Sequence, residues 1–162
     1  MGASQIPPVA PSAAASDNWA LIASTNPAAT SLNFTGISGY KKLMIFWAGT
    51  GQNGLTIKIN SDSGSKYSYS GMRIIYSTAA NIGVFSPTLT TNWSPDTAGD
   101  YCKFVINSAD TSTMKTSEYF LATSANTYTG TGIYQATASV SSVNLAWSST
   151  FSTTVYLYGV LA

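Results

Sequence analysis

The sequence predicts an all-β chain folded as an antiparallel sandwich, and three observations predict it. Strand-like segments recur at intervals of about ten residues with turn residues between them, which is the spacing of sandwiches and barrels. The composition is rich in Thr and Tyr, 21 and 10 of them in 162 residues, and both side chains suit a pleated, half-buried surface. The chain also closes on an apolar run, Thr154-Val155-Tyr156-Leu157-Tyr158-Gly159-Val160-Leu161-Ala162, which needs a paired place inside a sheet.

Residues 1–17 differ from all that follows. They hold Pro7, Pro8 and Pro11, then Ala13-Ala14-Ala15-Ser16, with Ile6 and Val9 as isolated apolar residues. Proline removes a ladder donor and favours extended chain, so this stretch is expected to be an attachment arm and not a core strand. Extended segments with spaced apolar anchors fasten one subunit to another, which makes Ile6, Pro7, Pro8, Val9 and Pro11 the candidate docking residues. Ile6 and Val9 offer little apolar area for holding the arm to its own domain.

From Asn18 to Ala162 the pattern is that of one domain. Strands are expected at residues 18–25, 31–37, 41–48, 54–60, 66–76, 82–90, 101–107, 114–123, 131–139, 142–148 and 153–160. Asn26-Pro27, Ser38-Gly39, the Gly49 to Gly54 stretch, Asp62-Ser63-Gly64, Ser94-Pro95-Asp96 and Gly130-Thr131-Gly132 are read as the turns between them. Leu55, Ile57 and Ile59 alternate with Thr56 and Lys58, the signature of a half-buried strand. By contrast Leu43-Met44-Ile45-Phe46-Trp47 is apolar on both faces. Such a strand either runs through the middle of the sandwich or buries its second face on another subunit. Cys102 alternates with Phe104 and Ile106 and reads as a buried small apolar residue. The closing strand suggests that Tyr158→Asp would place a charge in the interior. The sum is a jelly-roll-like antiparallel β-sandwich preceded by an extended arm.

Composition also bounds the partners. Seven cationic and six acidic side chains give a net charge of +1, and only 8% of residues are charged, so solubility rests on 24 Ser, 21 Thr and the amides. Scattered Lys and Arg do not build the field that a phosphate backbone needs, so no nucleic-acid partner is expected. No apolar stretch approaches the roughly 20 residues of a membrane span, and the first residues lack the basic-then-apolar order of a secretory signal. Low charge weakens repulsion between copies, as suits a homo-oligomer.

The chemistry-bearing residues point away from catalysis. The sequence has no histidine, which removes Ser-His-Asp, Cys-His and histidine-metal arrangements. The acids Asp17, Asp62, Asp96, Asp100, Asp110 and Glu118 are scattered, where glycoside hydrolysis needs two facing each other. Asn60-Ser61-Asp62-Ser63-Gly64 has the letters of a calcium loop without its bidentate Glu, and reads as a hairpin turn. No metal, cofactor or enzymatic activity is expected. For contacts, Asn92-Trp93-Ser94-Pro95-Asp96 sets an indole in a polar loop. With Tyr101 and Tyr128, Trp93 is a candidate for receptor or subunit contact, stacking on a host-surface glycan or packing on the sandwich edge or a neighbour.

Several blocks carry a resemblance. The terminal strand, with its Leu157-Tyr158-Gly159-Val160 ending, resembles that of β-sandwich domains in tail fibres and other surface proteins of tailed bacteriophages. Leu55 to Tyr69 looks like the same family's strand, Asn-x-Asp-x-Gly turn and Tyr-x-Tyr strand. Phe34 to Leu43 is similar to its opening strands, and Trp19, Ile22 and Ser24-Thr25 fit the strand before them. The match spans residues 18–162, with Thr153-Thr154 standing where the family often has Gly-Ser. The resemblance implies a virion structural protein: a tail-fibre-like appendage bound to other virion proteins through its arm, or a capsid decoration protein. A free carbohydrate-binding or hydrolytic domain ranks behind both. It also implies a location in the virion and favours a trimer.

Overall fold

The computed structural model describes residues 18–50, 54–78, 80–85, 89–94 and 100–162. The arm and its candidate anchors Ile6, Pro7, Pro8, Val9 and Pro11 lie outside the described residues, as does the Pro95-Asp96 turn. The rest is all-β: β1 (Ala20–Thr25), β2 (Ala29–Thr35), β3 (Tyr40–Ala48), β4 (Thr56–Ile59), β5 (Tyr67–Ile75), β6 (Ala80–Phe85), β7 (Tyr101–Asn107), β8 (Lys115–Ala122), β9 (Asn126–Tyr134), β10 (Ser142–Phe151) and β11 (Val155–Leu161). They form two antiparallel sheets, one of eight strands in the order β1-β11-β3-β7-β8-β9-β5-β6 and one of three, β2-β10-β4.

The alternation anticipated in the sequence decides which side chains meet between the sheets. Leu43, Ile45 and Trp47 of β3, Cys102, Phe104 and Ile106 of β7 and Leu157 of β11 point inward from the large sheet, and all but Leu157 lie on the paired strands β3 and β7. Ile57 and Ile59 of β4 with Val143 and Leu145 of β10 face them from the small one. Cys102 is fully buried, and that burial raises its thiol pKa well above the usual range, so it packs as a small hydrophobe. Trp47 meets Trp147 and Phe151 edge-on, while Trp147 and Phe151 stack at 4.4 Å between ring centres.

The closing strand does what its composition requires, pairing with β1 on one side and β3 on the other. Its faces differ from the simplest reading, however. Val155 and Leu157 are interior, whereas Tyr156 and Tyr158 are half-buried on the opposite face. Tyr158→Asp therefore places a charge at the surface of the large sheet and not in the core.

The main correction concerns β9, which runs over Asn126–Tyr134 and takes in the Gly130-Thr131-Gly132 stretch that reads as a turn. These glycines are there for close approach. A Cβ on Gly130 would lie 2.2 Å from the Ser70 carbonyl oxygen and 2.4 Å from the Tyr119 hydroxyl. One on Gly132 would lie 2.6 Å from both the Ser117 hydroxyl and the Trp93 indole nitrogen. The flat strand surface is the seat for two aromatic side chains, and residues 135–141 form the loop that follows.

Gly130→Ala is expected to lower stability by about 1–3 kcal/mol or more, since the clash is partly with backbone and repacking of Tyr119 alone does not relieve it. A thermal melt checks this; an unchanged melting temperature would mean that β9 and β5 are further apart than described.

Candidate functional site

Three features outside the apolar core could do something chemical or make contacts: the strap carrying Trp93, the polar corner around Asp62, and the outward face of the large sheet. Each is set by the strand pattern.

Residues 89–94 run between the two sheets and hydrogen-bond to both. Thr90 and Tyr67 exchange backbone bonds at the large sheet, N···O 2.6 and 3.0 Å, and Trp93 and Ile57 exchange them at the edge of β4, 2.8 and 3.0 Å. The Trp93 indole then enters the interior. It lies against Gly132, contacts Tyr67, Phe104 and Tyr134, and shares its N–H between the carbonyls of Ser68 and Ile133 at 3.1 and 3.2 Å. Only 1% of the residue is exposed. This corrects Trp93 as a receptor or subunit contact: a glycan has no ring face to stack on, because the ring is spent on joining the sheets. Tyr128 is corrected likewise. It points inward from β9, is 5% exposed, and has the Arg73 guanidinium 5.9 Å from its ring centre.

The corner around Asp62 is a turn, as its sequence reads, but not a hairpin: β4 pairs with β10 in the small sheet and β5 with β6 and β9 in the large one, so the turn carries the chain from one sheet to the other. Asn60 and Ser61 both take φ of 54°, the left-handed region that Asn tolerates best. The Asn60 side chain accepts from the backbone N–H groups of Ser141 and Ser142 and donates to the Ser139 carbonyl, tying the 135–141 loop to the β4–β5 turn. Asp62 accepts from Lys66 Nζ at 2.9 Å, from the Gly64 N–H at 2.8 Å and from the Tyr134 hydroxyl at 2.7 Å. In that order these donors hold its carboxyl down at about 2. Below them Tyr67 and Tyr134 stack at 4.6 Å, and burial pushes the Tyr67 phenol up to about 12. The Asn60 amide and the Asp62 carboxylate are both engaged in holding the turn, so the corner is built as a clasp.

Lys115 is a feature the sequence did not announce. It sits on the inward side of β8, fully buried, with Nζ donating to the carbonyls of Thr111 and Thr113 at 2.6 Å each. Burial lowers its pKa while the charge of Asp110 opposes that shift. Its ammonium closes the loop between β7 and β8.

The outward face of the large sheet is different in kind. Strand register lines up its outward side chains in rows. One row reads Tyr156, Phe46, Lys103, Phe120, Thr129 and Met72 across β11, β3, β7, β8, β9 and β5; the next reads Tyr158, Met44, Val105, Glu118, Thr131 and Ser70. Phe46 touches Tyr101 edge-on at 5.4 Å and Tyr156 at 6.2 Å, and Tyr101 continues to Phe120 at 5.7 Å. Phe120 is 42% exposed and Met72 41%, and Leu21 extends the apolar surface at the β1 margin. A shallow depression of about 400 Å³ opens beside Phe120, between Lys103, Glu118, Thr129 and Thr131. The two-sided apolarity of Leu43 to Trp47 is thus resolved: Leu43, Ile45 and Trp47 fill the core while Met44 and Phe46 face out. Of the three contact residues read from sequence, Tyr101 belongs to this face, and Phe46, Phe120 and Tyr156 join it through register alone.

Trp93→Ala is expected to cost about 3–5 kcal/mol by chemical denaturation, as for a large aromatic removed from a core; a loss under 1 kcal/mol would contradict the strap. Because the Asp62 carboxyl is held below its usual range, the stability it contributes is complete above about pH 4 and is lost as pH falls toward 2. Melting temperatures across that window should drop in the parent chain, and Asp62→Asn should melt lower at neutral pH while removing Asp62's share of the drop. A variant with the parent's profile would place the acid sensitivity elsewhere. No protein-family model matches the chain, and neither does any curated protein or any solved structure.

Proposed function

We propose that the chain is a non-enzymatic structural protein of a tailed-bacteriophage particle, a tail-fibre-like surface appendage that meets the host and is docked to other virion proteins by residues 1–17. The observation that carries this reading is the outward face of the large sheet. Apolar groups gathered on an outer face suit contact with another macromolecule, and here four rings adjoin one another, Tyr156, Phe46, Tyr101 and Phe120, on a stiff sheet. The resemblance over residues 18–162 supplies the setting. Capsid decoration is the second reading, since the same stiff face and leading arm suit a clamp on shell subunits. The glycan-binding reading loses Trp93 and Tyr128 to the interior and keeps only Tyr101 of its three candidates.

The arm gives the test. Deleting residues 1–17 should leave the melt of the sandwich unchanged while the chain no longer enters purified particles; undiminished incorporation would contradict the arm's role. Near-atomic imaging of the intact particle then separates the two readings, because density for this sandwich at the tail supports the first and density on the capsid lattice the second.

A further inference from the structure

The outward face carries charges that complement one another. Lys103 lies directly opposite Phe120, and Glu118 directly opposite Val105, on the adjacent strands β7 and β8. The four side chains mark a rectangle with the cation and the anion at one pair of opposite corners and the apolar groups at the other. A two-fold axis lying in the plane of the face, passing over Val105 and Phe120, carries each charged corner to within about 3 Å of the other's position at the usual strand spacing and rise. It sets each Lys103 against Glu118 of a second copy, and each Phe120 against its own counterpart. That is the self-complementary pattern of an isologous contact. A different protein would have to supply a matching anion and cation at this spacing; a second copy has them by symmetry.

Size and charge fit the same partner. From β1 to β5 the face is seven strands wide, about 29 Å at the usual strand spacing, and its outward rows run about 20 Å along the strands. Because the axis runs oblique to the strands the two faces cross, and the area they share is on the order of 400 Å² in projection, the size of the smaller specific interfaces. The depression beside Phe120 leaves room for the opposing ring, and a net charge of +1 opposes association little.

We infer that two copies of the chain meet through the outward face of the large sheet about this axis, with Lys103 of each against Glu118 of the other. The inference rests on reading the face as a contact surface and names what covers it. Sedimentation equilibrium of the full chain tests it. The parent should be a dimer or an even-numbered assembly. Lys103→Glu alone opposes carboxylates across the interface and Glu118→Lys alone opposes ammonium groups, so each should weaken association about tenfold or more. The double exchange, Lys103→Glu with Glu118→Lys, should restore it. Both side chains are exposed, and circular-dichroism melts verify that the variants fold. A parent that stays monomeric at about 100 μM, a trimer, single reversals without effect, or a double exchange that stays dissociated would each overturn the inference. Recovery of a monomeric chain in phage particles would remove this interface and leave the virion reading standing. Association by a chain absent from particles would do the reverse.

Discussion

The sandwich depends on one short segment that belongs to neither sheet. Residues 89–94 exchange backbone hydrogen bonds with Tyr67 on the large sheet and with Ile57 on the small one, and they lower the Trp93 indole into the space between. A three-stranded sheet cannot by itself cover an eight-stranded one, and the strap extends its reach past β4. The indole finds its place because Gly132 leaves β9 bare beneath it, and its N–H finds two carbonyls there. Burying so large an aromatic is favourable only if the polar edge is satisfied as well. The Tyr67–Tyr134 stack and the Asp62 clasp continue from that point to the surface, so the corner turn, the strap and the core are parts of a single arrangement.

This division of labour explains why the aromatic residues of the chain play two roles. Trp47, Trp93, Trp147, Tyr67, Tyr134 and Phe104 are interior and fix the distance between the sheets. Phe46, Tyr101, Phe120, Tyr156 and Tyr158 lie on the far side of the large sheet, where they do nothing to join it to the small one. With charge so scarce, the outward aromatics dominate the chemistry of that face. A stiff surface of this kind makes its contacts with little conformational entropy to lose, because its rings are already held edge to face against one another.

Much of this was legible in the residues, and the part that was not has a physical cause. Local patterns identified the Leu55-Ile57-Ile59 strand, the burial of Cys102, the Asn60–Gly64 turn and the paired closing strand, since each depends on alternation or on turn chemistry within a few residues. Leu43 to Trp47 also showed openly that two apolar faces needed cover. What failed was whatever depended on a partner far away in the chain. Gly130-Thr131-Gly132 has the letters of a turn, and only the arrival of Tyr119 and Trp93 above it shows why glycine stands in a strand. Trp93 sits among Asn, Ser, Pro and Asp, which leaves an exposed contact and packing on the sandwich edge both open; bonds to Ile57, Ser68 and Ile133 decide for burial. Phe120 and Tyr156 join Tyr101 on one face because of strand order and register, which a one-residue slip would reverse and which no local pattern specifies.

The central claim is that the outward aromatic face is where this protein meets its surroundings. Hydroxyl-radical footprinting, read residue by residue by mass spectrometry in dilute and concentrated solution, addresses it most directly. The account predicts that Phe120, Met44 and Tyr156 become protected on concentration while Lys58, on the outer side of the small sheet, keeps reacting at the dilute rate. Equal oxidation of Phe120 under both conditions, with protection appearing instead at Lys58, would contradict it.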